Sequence, residues 1–181
     1  MLTIKVEPAL FEHCQELVKV VNFGNRHTAN GNPEQQLTGI IGQSVVMQAF
    51  GIPILDGSSG FDNGIDLVIN SKKIDVKTMG RTTDVKKSYT NNFLKLQDYF
   101  QTDIYIFCSY HKTKQEVTIC GWISKKDFGS KRKLFPKGSI RTRQDGSTFT
   151  TFSDLYEIDN VDLNDVNSID DLKLQLHTFS Q

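Results

Sequence analysis

Long apolar segments and cysteine are both scarce in this 181-residue chain. No run approaches the roughly 20 apolar residues that a membrane-spanning helix needs, which excludes the helical class of integral membrane proteins. The cysteines are odd in number and lie in apolar stretches, so we expect buried free thiols and no disulfide framework. The first residues, Met1 to Glu7, lack the pattern of a secretory signal. These absences predict a cytoplasmic protein with no membrane partner, whose free thiols are Cys14, Cys108 and Cys120.

Zinc-ligand spacing is missing as well, because the four histidines are not regularly spaced with one another or with the cysteines. Hydrophobic residues make up 38% of the chain and charged residues 23%, which is typical of a globular protein. The length suits one well-buried core, and no repeat or low-complexity tract interrupts it. We therefore predict one domain over residues 1–181, with a core at about 33–122, a basic segment at 124–143 and an acidic C-terminal segment at 153–181.

The formal net charge of zero conceals a strong asymmetry along the chain. Residues 1–64 carry 3 Lys/Arg and 6 Asp/Glu, residues 65–152 carry 17 and 8, and residues 153–181 carry 1 and 7. The three regions therefore have net charges of −3, +9 and −6. A basic stretch of this size predicts a polyanionic partner such as nucleic acid, while a solvated surface is the plainer explanation.

The stretch 64–78 predicts two short strands joined by a polar turn. Apolar residues at 65, 67 and 69 and then at 74 and 76 alternate with polar ones, which is the period of a half-buried sheet. The loop that leads into this stretch offers Asp62 and Asn63 as turn formers or secondary contacts. If the apolar set faces a core, the opposite face carries Asp66, Val68, Asp75 and Lys77.

The register of this hairpin brings its charged residues together. A two-residue turn at Ser71-Lys72 would set Asp66 against Lys77 and Val68 against Asp75, with opposed Cβ atoms ~5 Å apart. Two carboxylates and one ammonium then converge on a single patch. Hard oxygen ligands of this kind suit Mg²⁺. The plainer alternative is a surface ion pair on an ordinary hairpin.

Asp66, followed after eight residues by Asp75-Val76-Lys77, resembles the PD-(D/E)XK nuclease superfamily. The matching segment runs from about Leu37 to Trp122, roughly half of the chain. The resemblance implies a restriction-endonuclease-like α/β fold, with a mixed central sheet flanked by helices. It also implies that Asp66 and Asp75 bind Mg²⁺, with Mn²⁺ as a substitute and the carbonyl of Val76 as a third ligand. Lys77 would position or deprotonate the attacking water.

A helix predicted from about Pro33 to Phe50 precedes the hairpin, with Asn32 as its N-cap. Many superfamily members place a Gly-Glu pair in the corresponding helix, where the Glu reaches the metal site. The matching dipeptide here is Gly42-Gln43, and glutamine can orient a water or a phosphate but brings no negative charge. A polar residue at a helix boundary is the alternative role for Gln43. The helix glycines, Gly39 and Gly42, predict close approach of another backbone.

Basic residues follow the hairpin and are placed to contact a phosphate backbone. The candidates are Arg81, Lys86 and Lys87, and further along Lys131, Arg132 and Lys133, with Lys137, Arg141 and Arg143 after them. The later group predicts either an arm that follows DNA phosphates or a solvated loop. Between the two groups, Tyr89 to Phe100 has helical periodicity, and Lys95 and Gln97 are candidates to face the site.

The remaining patterns predict an N-terminal helix at Pro8 to about Val21 and a second hairpin from two β-rich stretches, 103–110 and 116–122. Ser124 would cap a short helix, and Ser168 would cap a final one whose first turn is acidic.

We therefore expect a Mg²⁺-dependent endodeoxyribonuclease of restriction, repair or mobile-element type. Asp66, Asp75, Lys77 and Gln43 would form its catalytic site. A homodimer would suit the cutting of two strands, although no sequence feature identifies an interface. Two alternatives stay open: a catalytically weak DNA-binding module that keeps the fold, and an unrelated enzyme or interaction protein.

Overall fold

The computed structural model of the protein describes residues 1–23, 31–57, 64–143 and 146–179. Asp62 and Asn63 lie outside these ranges. The helices are α1 (Pro8–Val20), α2 (Pro33–Ala49), α3 (Lys125–Lys131) and α4 (Ile169–Thr178). The strands are β1 (Leu2–Lys5), β2 (Leu67–Ile69), β3 (Lys72–Arg81), β4 (Thr90–Leu94), β5 (Ile104–His111), β6 (Glu116–Ser124), β7 (Lys133–Phe135), β8 (Ile140–Thr142), β9 (Thr148–Thr150) and β10 (Leu155–Asp159).

A mixed five-stranded sheet in the order β1-β6-β5-β3-β2 forms the centre of the fold. β3 and β5 run parallel, and the other neighbours run antiparallel. β5 is buried along nearly its whole length, which is why its sequence reads as a continuous apolar run without alternation. The predicted α/β class with a mixed central sheet flanked by helices is confirmed.

Helices α1, α2 and α4 cover one face of this sheet. Their buried side chains include Leu10, Ile41 and Leu172, which join Ile74 and Ile106 of the sheet in one apolar core. Full burial of an aliphatic side chain of this size contributes about 1.5–3 kcal/mol. A hydrogen bond of 2.7 Å from Trp122 Nε1 to Gln175 Oε1 also attaches α4 to the sheet.

A second sheet, in the order β4-β10-β7, covers the other face together with α3. Aromatic rings dominate the core between the two sheets. The centroid of the Phe93 ring lies 5.1 Å from those of both Tyr105 and Phe128, and all three side chains are almost fully buried. Edge contacts of this geometry add to the stabilisation that burial provides.

The helix predicted over Tyr89 to Phe100 is wrong. The chain forms strand β4 there, followed by a single 3₁₀ turn at Lys95–Gln97. Asn91 and Phe93 are buried while their neighbours are partly exposed, so burial alternates with the two-residue period of a strand. Antiparallel pairing with β10, which lies more than sixty residues further along the chain, stabilises the strand.

Other predicted elements are confirmed. Asn32 caps α2 in a reciprocal capping box with Gln35, with hydrogen bonds of 2.9 and 3.0 Å. Ser124 and Ser168 accept the backbone N–H that each was predicted to cap. The basic segment consists of α3, β7 and β8, and β8 pairs with β9 in a separate two-stranded hairpin. Among the described residues, no helix is both long enough and apolar enough to cross a bilayer.

Candidate active site

The β2–β3 hairpin turns at Asn70-Ser71, and not at Ser71-Lys72 as predicted. Both turn residues have positive φ, 49° and 63°, a conformation that Asn adopts more readily than most residues. Val68 consequently pairs with Lys73, and not with Asp75. The register is shifted by two positions, so the faces keep their predicted side chains. Continuing the observed register would set Asp66 directly against Asp75.

The Asp66 carboxylate is held against the second strand of the hairpin. The Asp66 N–H donates to the carbonyl of Ile74 at 2.9 Å, and its Oδ2 accepts a hydrogen bond of 2.5 Å from the Val76 N–H. These bonds fix the first acid of the motif beside the Asp75-Val76-Lys77 segment.

Asp75 and Lys77 form a close pair on β3. Asp75 Oδ1 lies 2.7 Å from Lys77 Nζ, and the two side chains are 2% and 17% exposed. The two-residue strand period puts both on the face that meets the aromatic core, where Lys77 Nζ lies 5.5 Å from the centre of the Phe93 ring. A carboxylate this deeply buried requires an opposite charge close by, because desolvation of an unpaired charge is costly.

Gly42 brings α2 into direct contact with β3. A Cβ at this position would lie 1.9 Å from Thr78 Oγ1, so no larger residue fits without displacing the helix. Gly42 does make a close approach, but to a side chain of β3 and not to another backbone as predicted. The prediction is wrong for Gly39, where a Cβ would meet no atom within 4 Å. The neighbouring Gln43 is 8% exposed and lines the same groove as the hairpin acids.

A groove of about 920 Å³ contains the predicted catalytic residues. Its walls come from α2, β3, β4 and the β8–β9 hairpin. Asp66, Asp75, Val76, Lys77 and Gln43 all line it. Gln97, which is only 4% exposed, lines it as well, whereas Lys95 is not among the lining residues and pairs with Asp154 at 3.1 Å. The structure thus brings the predicted catalytic set to one cavity.

Cations from three parts of the chain reach this groove. Arg81 lies in it and donates to the carbonyl of Thr90 at 2.8 Å, and burial of its guanidinium lowers its pKa from the ordinary value. Lys112 lines the groove from the turn after β5 and pairs with Glu34 at 2.6 Å. The third part is the β8–β9 hairpin, which contributes Arg141 and Arg143.

The other predicted DNA-binding residues are not among those that line the groove. Lys86 and Lys87 are exposed in the loop after β3, where Lys87 pairs with Asp165. The Arg132 guanidinium lies 3.7 Å from the centre of the Tyr156 ring and 2.5 Å from Asp98. Its flanking lysines contact the C-terminal region, Lys131 at the carbonyl of Asp162 and Lys133 at Asp159.

Sequence reasoning missed two walls of the groove. The sequence did not identify Lys112 as a groove residue, because it lies in a hairpin turn that only the fold brings next to α2. Thr90 and Asn92 line the groove from β4, and the prediction of a helix there hid them. The alternation of polar and apolar residues from Thr90 to Leu94 is the signal that identifies this wall.

The acids of the motif offer oxygen atoms and no nitrogen or sulfur atoms of the kind that structural zinc sites use. Asp66, Asp75 and Val76 all line the groove. Within the part of the chain that the structure describes, no three His, Cys, Asp or Glu residues form a metal-holding group. Mg²⁺ is commonly bound by one or two carboxylates, with water and substrate phosphate completing the shell.

No family model, curated protein or solved structure matches this chain. The functional interpretation therefore depends on the residues of the groove themselves.

Proposed function

We propose that the protein is a metal-dependent endodeoxyribonuclease with a restriction-endonuclease-like fold. The observation that carries this proposal is the convergence of Asp66, Asp75 and Lys77 on one groove, with Asp75 buried and paired to Lys77 at 2.7 Å. Metal-dependent hydrolysis of a phosphodiester uses protein ligands that hold a divalent cation beside the scissile phosphate, and the two acids would serve as such ligands.

Asp66 and Asp75, with the Val76 carbonyl, would hold Mg²⁺ or Mn²⁺. The cation would supply positive charge that lowers the pKa of the attacking water and offsets the charge developing on the scissile phosphate. Lys77 would donate a hydrogen bond that orients this water, or accept its proton when deprotonated. Gln43 would hold the water or a phosphate oxygen through its amide, since it offers both a donor and an acceptor.

DNA is the substrate that the groove favours. Basic side chains line it together with the two acids of the motif, which suits a chain of phosphates better than a neutral ligand. Phosphate contacts position a nucleic acid without reading its sequence, and lysine, arginine, threonine and amide side chains make such contacts. Besides Lys77, the lining cations are Arg81, Lys112, Arg141 and Arg143. Lys112 and Arg141 are paired with Glu34 and Glu157, whereas Arg143 has no ion pair with a carboxylate of the described residues.

One observation favours a second candidate, a DNA-binding module with little activity. Gln43 stands where a third acid would strengthen cation binding, and Lys77 is already neutralised by Asp75. Such a module would bind DNA with steep salt dependence without cutting it.

Cleavage of plasmid DNA with Mg²⁺ or Mn²⁺ tests the proposal. Wild type and Asp84→Asn should convert supercoiled plasmid to nicked or linear forms, and Asp75→Asn should not. Asp84 is a matched control because its carboxylate also pairs with a lysine, Lys114 at 2.5 Å, but outside the groove.

Cleavage that Asp75→Asn retains would refute the assignment of the site. If wild type leaves the plasmid intact but binds it, and the binding weakens steeply as salt rises, the binding module is the correct account. If wild type neither cuts nor binds, both candidates are wrong.

A further inference from the structure

Phe152 is an exposed aromatic residue at the edge of the groove. It is 68% exposed and lines the same cavity as the acids of the site. A ligand that fills this groove would contact the ring, because residues of the proposed site line the same cavity.

The backbone on both sides of Phe152 is fixed. Thr151 is 4% exposed, and its hydroxyl donates to the Pro136 carbonyl at 2.7 Å and accepts from the Ser139 N–H at 3.0 Å. Its own N–H donates to the Ser139 carbonyl at 2.9 Å. On the other side, Asp154 accepts from the Lys137 N–H at 3.0 Å. Phe152 is therefore presented from a rigid base, which lowers the entropy cost of covering its ring.

The β8–β9 hairpin adds a cation to the same cavity. Arg141, near its base, is fixed by a two-point ion pair with Glu157, at 2.9 and 2.6 Å. Arg143 is exposed and stacks on Phe149, with 4.6 Å from its guanidinium to the ring centre. No ion pair joins Arg143 to a carboxylate of the described residues, in contrast to Arg141 and Lys112. Arg143 is thus available to an anion in the groove.

We propose that the groove takes a DNA strand with at least one unpaired base, which stacks on Phe152 while Arg143 contacts a phosphate of the same strand. This inference rests on the proposal that DNA occupies the groove. In an intact duplex the base faces are stacked on one another, so a fixed aromatic ring stacks only on a base that is unpaired. Stacking platforms with neighbouring cations are how proteins bind single strands. The preferred substrates are then single-stranded, flapped or branched DNA.

Fluorescence anisotropy with labelled oligonucleotides tests this inference. A 12-nucleotide single strand, its blunt duplex and a duplex with a single-stranded flap are titrated with the full chain and Ca²⁺, and their cleavage is assayed in parallel with Mg²⁺. We expect the single strand and the flap to bind at least tenfold more tightly than the blunt duplex. Phe152→Ala should weaken single-strand binding about tenfold and leave duplex binding unchanged, and Phe152→Trp should keep it.

Two matched variants control this experiment. Ile140→Ala removes an exposed apolar residue, 73% exposed, from the same hairpin but away from the groove, and it should change no affinity. Arg143→Ala should weaken binding of all three DNAs, because a phosphate contact does not depend on whether the bases are paired.

The outcomes separate this inference from the proposed function. If all three DNAs bind equally and Phe152→Ala changes nothing while Asp75-dependent cleavage is present, the inference is wrong and the nuclease proposal stands. If single strands bind through Phe152 but nothing is cut, the inference holds and the nuclease proposal is wrong. If no DNA binds, or if only a protein partner covers Phe152, the inference is overturned.

Discussion

The cations of the groove and those of the outer surface differ in what holds them. In the groove, Lys77 and Arg143 lie beside the proposed scissile site, and Lys77 pairs with an acid of that site. Several outer cations contact the acidic C-terminal segment, as Lys87 does at Asp165 and Lys133 at Asp159, and within the groove Arg141 does so at Glu157. The basic stretch and the acidic tail of the sequence therefore neutralise each other over part of the surface.

This difference changes what the charge asymmetry implies. A net charge of +9 over residues 65–152 predicts a broad surface for a polyanion. In the folded chain, part of this charge lines the groove, and several outer cations contact the C-terminal segment. Charge counted along a sequence thus overstates the binding surface when an oppositely charged segment folds onto it.

The largest expected effect is on catalysis. Lys77→Ala should lower the rate of DNA cleavage by at least 100-fold, because it removes the group that orients or deprotonates the attacking water. Lys114→Ala, which breaks a lysine–aspartate pair outside the groove, should keep the wild-type rate. Single-turnover cleavage assays measure both rates. Equal rates in the two variants would mean that the groove lysine has no special role in cleavage.

The second effect is on the packing of the groove wall. Gly42→Ala should reduce the free energy of unfolding by roughly 1–3 kcal/mol, because the new Cβ would collide with Thr78. Gly39→Ala, three residues earlier in the same helix, should be neutral or stabilising by up to about 1 kcal/mol, since nothing lies near its Cβ. Urea denaturation measures the free energy of unfolding of both variants, and the comparison requires that their m values are equal. A loss of equal size in both variants, or no loss in Gly42→Ala, would mean that the contact with β3 does not set the cost.

The third effect is on cation binding. Gln43→Glu adds a third acid to the proposed pair of cation ligands, Asp66 and Asp75, and we expect Mg²⁺ affinity to rise about tenfold, or ~1.4 kcal/mol. Isothermal titration calorimetry measures the change, with Gln35→Glu on the same helix as the control. Gln35 also lines the groove but lies near the capped end of α2. An equal gain in both variants would indicate a general charge effect.

The fourth effect separates groove cations from outer ones by salt dependence. Arg143→Ala should reduce the slope of log affinity against log salt by about 0.7–0.9, the value for one lost phosphate contact. Lys131→Ala should leave the slope near that of wild type, because its ammonium is held by the Asp162 carbonyl at 2.9 Å. A larger change for Lys131→Ala would confirm the DNA-binding role predicted for that lysine from the sequence.

The smallest effect is the pH dependence of the outer surface. Hydrogen bonds from Lys87 and from the amino group of Met1 lower the pKa of Asp165 from 3.8 to about 2. Its stabilising contribution is therefore present above pH ~4 and is lost as the pH falls from about 4 towards 2. Because these groups are partly exposed, we expect Asp165→Asn to cost about 1 kcal/mol or less at pH 7. Thermal unfolding at pH 7 and at pH 2 measures it, and a cost that is the same at both values would contradict the shifted pKa.

Much of the fold was predictable because its signals are local. The capping residues Asn32, Ser124 and Ser168 mark helix starts through bonds that span only three residues. The error at β4 came from Phe93 and its apolar neighbours, which satisfy a helical period as well as a strand period. Pairing with β10 decides between them, and that contact is distant in sequence.

The candidate site was predicted in part for the same reason. The faces of Asp66, Asp75 and Lys77 follow from the two-residue strand period and agree with the structure. The register differs because Asn70 and Ser71 take positive φ and form the turn. A two-residue turn was predicted, but its position one residue earlier in the chain was not. Arg141 and Arg143 were candidates from the sequence, but their position at the groove was not predictable. The contribution of Lys112 was not predictable either, because both arise only when separated segments of the chain meet around the groove.

The most direct test of the central claim is a Mn²⁺ titration followed by electron paramagnetic resonance. The claim is that Asp66 and Asp75 together form a hard-cation site at the groove. We predict saturable Mn²⁺ binding in wild type and in Asp84→Asn, and its loss in Asp66→Asn and in Asp75→Asn. Binding that is absent from wild type, or equal in all four proteins, would contradict the account.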